Sequence, residues 1–219
     1  MSLYKIDDVT LPDHHFLTGE DYCYFLLNYK PNAGFSGGAT NSLILNFKKS
    51  LDKKGFPEYR YKEAAIRQVG QLLLSHVVPR IDLESATLVP IPPSKSKKNA
   101  LFDNRMTQAL EAGCRDLDYD VRELLVTVND SQPVHISDNY RDPEALFANI
   151  AIDQLVVQNL KKNVILFDDV ITTGAHYVAC KRRLLEFNPN LNVSGIFIAR
   201  REPLSPANDF LDELRKIFG

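Results

Sequence analysis

Cysteine is scarce in this chain. Cys23, Cys114 and Cys180 are the only three among 219 residues, far apart and odd in number. That spacing excludes a disulfide framework and offers no thiolate pairs for a structural zinc site. His14 and His15 lie near Cys23, but no second pair at metal-ligand spacing completes a site. The thiols are expected to be reduced and structural. An apolar run of membrane-spanning length is also missing, and the first residues, MSLYKIDDVT, lack the basic start and apolar stretch of a secretory signal. A cytoplasmic protein without membrane contact is the expectation. Net charge is small, −2 at pH 7, so no global field draws the chain to nucleic acid or anionic lipid. Internal repeats and low-complexity segments are absent as well. What remains is ordinary for a globular protein: 44% hydrophobic and 25% charged residues, enough for one well-filled core.

Texture changes along the chain. Residues 1–58 hold aromatic and β-branched runs broken by Gly, Asn and Pro, which suggest short strands and loops. From residue 59 the pattern is regular. YKEAAIRQVGQLLLSHVV sets Ala65, Val69, Leu72, Leu73 and Val77 on one helical face. ATLVPIPP is a buried strand halted by prolines near Val89. ALFDNRMTQALEAGC predicts a helix with Leu101, Met106, Ala109, Leu110 and Gly113 at helical spacing, and VRELLVTVND a second strand. DSQPVHISDNYRDPEALFANI is polar, contains two prolines and is long enough to include an exposed, mobile loop. KKNVILFDD is a strand covered on both faces, GAHYVACKRRLLEFN a helix, and LNVSGIFIARR another buried strand. Residues 204–219 begin with Ser205 as N-cap and Pro206 in the first turn of a helix. Its stripe of Phe210, Leu211, Leu214, Ile217 and Phe218 packs on the core or on a partner, a homodimer being one outcome. Strands alternating with helices predict an α/β domain of Rossmann-like type, a parallel sheet with helices on both faces. Ligands of such sheets bind at the carboxyl ends of the strands.

One of those ends carries VILFDDVITTGAH, residues 164–176. A strand ending at Asp168 and Asp169, a loop and a helix from about Ala175 make a strand–loop–helix unit. The free amides of the loop and the positive end of the helix favour an anion. Thr172 and Thr173 add hydroxyl donors, and Gly174 permits close backbone approach. Two carboxylates would repel a phosphate placed on them, so they suit sugar hydroxyls, a cation or developing positive charge. A ribose 5-phosphate group satisfies both halves, with Mg²⁺ bridging nearby oxygens.

The stretch VILFDDVITTGAH resembles the phosphoribosyl pyrophosphate-binding motif of the type I phosphoribosyltransferases. VPIPPSKSKKNALFDNRMTQAL is similar to the first strand and loop of their amidophosphoribosyltransferase-like, competence-factor branch. The likeness covers roughly residues 60–200. It implies the type I phosphoribosyltransferase fold, with residues 1–58 as a hood over the acceptor, residues 59–203 as the catalytic core and residues 204–219 as a docked helix. It also implies transfer of ribose 5-phosphate between phosphoribosyl pyrophosphate and a nitrogenous base or amine, with Mg²⁺ held mainly through the donor and no dedicated protein metal site. By that resemblance Asp168 and Asp169 hold the ribose and act in catalysis. Val170, Ile171, Thr172, Thr173, Gly174, Ala175 and His176 wrap the 5′-phosphate, with His176 standing where the family has Thr or Ser. Pro93, Ser94 and Lys95 line the pyrophosphate loop, and Arg141 closes over it from the mobile loop. A donor-binding sensor without turnover is the alternative.

Other readings fit these residues less well. An aspartate capping the helix explains one carboxylate but not two followed by TTG. A haloacid dehalogenase-like phosphatase needs its aspartates two residues apart, and these are adjacent. FKKSLDKKGFPEYRYK interleaves bases with aromatics as single-strand-binding surfaces do, but Asp52 and Glu58 dilute its charge, which favours a solvated face. Lys97, Lys98 and the run 181–183 read as solvated, and His135 as an exposed loop residue.

Overall fold

Apolar residues at consecutive positions need cover on both sides, and four such runs build the sheet in the computed structural model, which describes residues 2–130 and 142–203. Along the chain the elements are β1 (Tyr4–Lys5), β2 (Cys23–Tyr29), α1 (Ala39–Phe47), α2 (Arg60–His76), β3 (Ala86–Pro90) and α3 (Arg105–Cys114). There follow β4 (Leu125–Thr127), α4 (Pro143–Ala148), β5 (Ile150–Ile152), β6 (Asn163–Ile171), α5 (Ala175–Phe187) and β7 (Asn192–Arg201). The central sheet runs β1-β2-β7-β6-β3. β2, β7, β6 and β3 are mutually parallel, and β1 adds a short antiparallel edge.

Side-chain alternation divides the core. Leu26, Leu88, Ile165, Phe167, Ile196 and Ile198 face one way, against α1, α2 and α3. Phe25, Val89, Val164, Leu166, Val193 and Phe197 face the other, against α5 and the two-stranded sheet β4-β5. The result is a mixed α/β fold with a mostly parallel sheet flanked by helices, compatible with a Rossmann-like arrangement. The three cysteines are free and buried. No helix among the described residues is long and apolar enough to cross a membrane.

The structure refines several sequence expectations. Residues 1–58 contribute to the main sheet and the core: β2 pairs in parallel with β7, and α1 packs Leu43, Ile44 and Phe47 inward. The run Cys23–Leu27 is apolar at successive positions and so requires cover on both faces. The strand expected in VRELLVTVND forms as β4, paired antiparallel with β5, and just before it Val121 makes an isolated parallel bridge to Leu88 of β3. Part of the expected loop is ordered as α4, where Asp142 caps the helix by accepting from the Glu144 amide at 3.0 Å, with Pro143 in the first turn. Leu101 is exposed, and α3 starts four residues after it. Residues 204–219, His135 and Arg141 lie outside the described residues.

α2 and α3 cross at a close contact between Gly70 and Gly113. A Cβ on Gly113 would sit 2.7 Å from the Gly70 carbonyl oxygen, and backbone cannot move aside as a side chain does. Gly113→Ala is therefore expected to cost about 1–3 kcal/mol despite the better helix propensity of alanine. Urea unfolding should show a lower midpoint with an unchanged slope.

Candidate functional site

β3 and β6 are neighbours, with Pro90 opposite Phe167, and the Ile91 amide donates to the Phe167 carbonyl at 2.8 Å. The segment leaving β3 thus departs beside Asp168. Its course is fixed by a hydrogen bond from the Thr127 hydroxyl to the Pro93 carbonyl (2.6 Å) and by Asp130, which accepts from the Ser96 amide (2.7 Å) and from Asn99. Pro93, Ser94 and Lys95 are half-buried, whereas Lys97 and Lys98 are exposed. Lys97 pairs with Glu123 (3.1 Å) and Asp153 (3.4 Å). The two segments singled out in the sequence, 93–95 and 168–176, therefore meet at the carboxyl end of one strand pair.

The paired aspartates do not act alike. β6 continues past them to Ile171, so successive side chains point to opposite faces of the sheet. Asp169 falls on the face of α1, α2 and α3, with its side chain 5% exposed, and is held by two cations. Lys48 Nζ, at the end of α1, lies 2.8 Å from one oxygen, and the Arg105 guanidinium, at the start of α3, lies 2.6 Å from the other. The network continues inward. Arg105 also pairs with Asp103 (2.9 Å), and the fully buried Lys62 donates to Asp103 (2.7 Å) and to the Phe47 carbonyl (2.9 Å). Burial pushes the Asp169 carboxyl up, but Lys48 and Arg105 outweigh it and hold the group well below the usual carboxylate range.

Asp168 takes the opposite face and keeps 23% of its side chain exposed. One of its oxygens accepts from the Asp169 amide at 2.7 Å. The other lies 3.8 Å from His176 Nδ1 at the start of α5. Burial of most of the group, reinforced by the charge of Asp169, pushes this carboxyl up to about 7. One aspartate is locked as an anion, and the other sits near the threshold of ionisation at neutral pH. Asp169 is engaged by protein cations in this structure, and Asp168 is the more accessible carboxylate.

Beyond β6, Thr172 is exposed and Thr173 half-buried. Gly174 adopts φ 84°, a left-handed conformation that favours glycine, and its Cα faces the Leu17 side chain. Ile171 and Ala175 are buried in the core and Val170 packs against it, which leaves these three only their backbone to offer a ligand. The N-terminal segment meets this loop, a contact that sequence reasoning missed. His14 Nδ1 donates to the Thr172 carbonyl, and the Phe16 amide donates to the Thr173 carbonyl at 2.9 Å. Lys48, Arg105 and His14 were all missed, because pairing across more than sixty positions leaves no local signature. The opposed faces of Asp168 and Asp169 were readable, since adjacent strand residues always diverge.

No group of three or more His, Cys, Asp or Glu able to hold a metal occurs among the described residues. With Asp169 occupied by cations, a divalent ion at this place would draw most of its oxygens from a phosphorylated ligand. Comparison of the chain with protein-family models and with curated proteins finds no match.

Proposed function

We propose that the chain is a type I phosphoribosyltransferase. It would transfer ribose 5-phosphate between phosphoribosyl pyrophosphate and a nitrogenous base or amine. The observation that carries this reading is the junction of β3 and β6. It sets a half-buried lysine loop, one accessible carboxylate and a threonine-rich helix start around one strand end. In the reaction the bond from ribose C1 to the pyrophosphate oxygen breaks, its electron pair leaving with pyrophosphate, while nitrogen bonds C1 from the opposite face. Asp168 accepts hydrogen bonds from the ribose hydroxyls and favours the cationic ring of the transition state. The hydroxyls of Thr172 and Thr173, with the loop amides and the α5 start, hold the 5′-phosphate. Pro93, Ser94 and Lys95 face the departing anion. Mg²⁺, carried on the diphosphate, supplies Lewis-acid charge when bound.

A second reading, binding without turnover, is favoured by the engagement of Asp169. A family site with two carboxylates on the sugar has here only Asp168 to offer. One experiment separates the two. Calorimetry with phosphoribosyl pyrophosphate and Mg²⁺ should give saturable binding that tightens as pH rises from 6 to 8, because ribose hydroxyls donate to the ionised Asp168. Release of pyrophosphate with one member of a panel of bases and amines would establish the transferase. Binding with no release across the panel would establish the sensor, and no binding by folded protein would reject the site.

A further inference from the structure

Residues 14–17 form a turn closed by the Leu17 amide donating to the His14 carbonyl at 2.9 Å. This turn touches three consecutive residues of the loop after β6. His14 Nδ1 bonds the Thr172 carbonyl, the Phe16 amide bonds the Thr173 carbonyl, and the Leu17 side chain occupies the space beside Gly174. A carbonyl only accepts, so the His14 ring must carry its proton on Nδ1. Its other nitrogen, Nε2, is then a bare acceptor, buried with no hydrogen-bond partner among the described residues, in a side chain 1% exposed. Burial lowers the affinity of the ring for a second proton, an effect that Arg200 reinforces and that the Thr172 bond and Asp13 oppose. A buried polar atom left unmatched is costly, and the bond from Nδ1 to the Thr172 carbonyl is what the ring gains in this position.

Peptide geometry shows what that bond does. In a planar trans peptide the C=O of one residue and the N–H of the next point in opposite directions. Holding the Thr172 and Thr173 carbonyls toward the turn therefore aims the Thr173 and Gly174 amides away from it. No backbone carbonyl among the described residues accepts from either amide. We propose that the His14–Leu17 turn is a strap that presents the Thr173 and Gly174 amides to a phosphate ester, with His14 as a positioning residue acting through Thr172. The inference rests on the ribose 5-phosphate reading of this loop and adds the determinant that shapes it.

Ribose 5-phosphate is the probe, with calorimetry for affinity and amide hydrogen exchange for the loop. His14→Leu keeps volume but removes the donor, and His14→Asn keeps a donor on a shorter side chain. His14→Leu should weaken ribose 5-phosphate binding about tenfold and speed exchange at residues 173–174, leaving exchange in the sheet unchanged. His14→Asn should recover most of both, which a purely space-filling role would not allow. Wild-type affinity and exchange in His14→Leu would overturn the strap while leaving the functional reading intact. Failure of the wild type to bind would remove the functional reading, and the exchange comparison would still decide whether the turn orders the loop. Should His14→Leu not fold, nitrogen NMR of the wild-type ring takes its place. A proton fixed on Nδ1, with ring and loop amide signals shifting together on adding ribose 5-phosphate, supports the strap, and signals that do not respond overturn it.

Discussion

Asp168→Asn is expected to raise stability at pH 8 while weakening ribose 5-phosphate binding. The sign follows from linkage. The folded carboxyl is pushed up to about 7 from an ordinary 3.8, so below about pH 4 folded and unfolded chains are both protonated. As pH rises from there through 7, the unfolded chain has lost a proton that the folded chain must be forced to release, and stability falls. Asparagine keeps an oxygen for the Asp169 amide and abolishes the titration. Its advantage should be absent near pH 4, grow up to pH 7 and level off above it. Water screens a partly exposed carboxyl, which reduces the gain to about 2 kcal/mol, an upward shift of several degrees in melting temperature. Binding should weaken roughly tenfold to a hundredfold, because a charge-assisted acceptor for the sugar hydroxyls is lost. Melting curves at pH 4 and 8 check the first half and calorimetry the second. A variant no more stable at pH 8 than the wild type would show that Asp168 is not strained by its surroundings.

The adjacent residue should behave in the reverse way. Asp169→Leu leaves the Lys48 ammonium and the Arg105 guanidinium facing an apolar side chain, with Lys62 and Asp103 behind them. Removing the anion from the mostly buried Arg105–Asp169 pair costs about 3–5 kcal/mol, since the guanidinium has lost solvent and partner alike. The pH dependence also inverts. The Asp169 carboxyl is depressed in the folded chain, so its contribution is complete above the ordinary carboxylate range and is lost as pH falls through and below it. Urea titration should show the deficit of Asp169→Leu at pH 7 shrinking toward pH 3. A loss below 1 kcal/mol at pH 7 would mean that Lys48, which is 45% exposed, and Arg105 find water instead. Two neighbours of identical chemistry would thus move stability in opposite directions, one as a functional strain and one as a structural tie.

What the sequence made legible follows from where its signals are local. The helical spacing of Ala65, Val69 and Leu73 and the unbroken run of Val164–Phe167 identified α2 and β6, because burial of one stripe or of two faces imprints a period. The strand–loop–helix character of residues 164–176 was legible for the same reason. α1 was missed: its start, GGATNS, carries turn chemistry, and its apolar stripe of Leu43, Ile44 and Phe47 is short. The parallel pairing of β2 with β7 joins residues separated by most of the chain, and nothing in Cys23–Tyr29 names its partner. The ion network had the same obstacle. Lys48 and Lys62 read as members of a solvated basic stretch, yet Lys62 is buried against Asp103 and Lys48 reaches Asp169. Charge pairing is decided by tertiary placement, and residue type alone does not disclose it.

The place of β7 between β2 and β6 has a consequence for synthesis. A ribosome that has released β6 has made the whole 164–176 stretch and, long before it, the His14 turn and Lys48. The sheet position that joins the two is still empty, because among the described residues β7 is the last strand to emerge. The early apolar run Cys23–Leu27 must therefore wait, uncovered on its hydrogen-bonding edge, until nearly all of the described chain exists. Sheet closure of such long reach is slow and leaves that edge prone to wrong pairing in the interval. Nascent chains halted before Asn192 should bind chaperones through β2, and those halted beyond Glu202 should not.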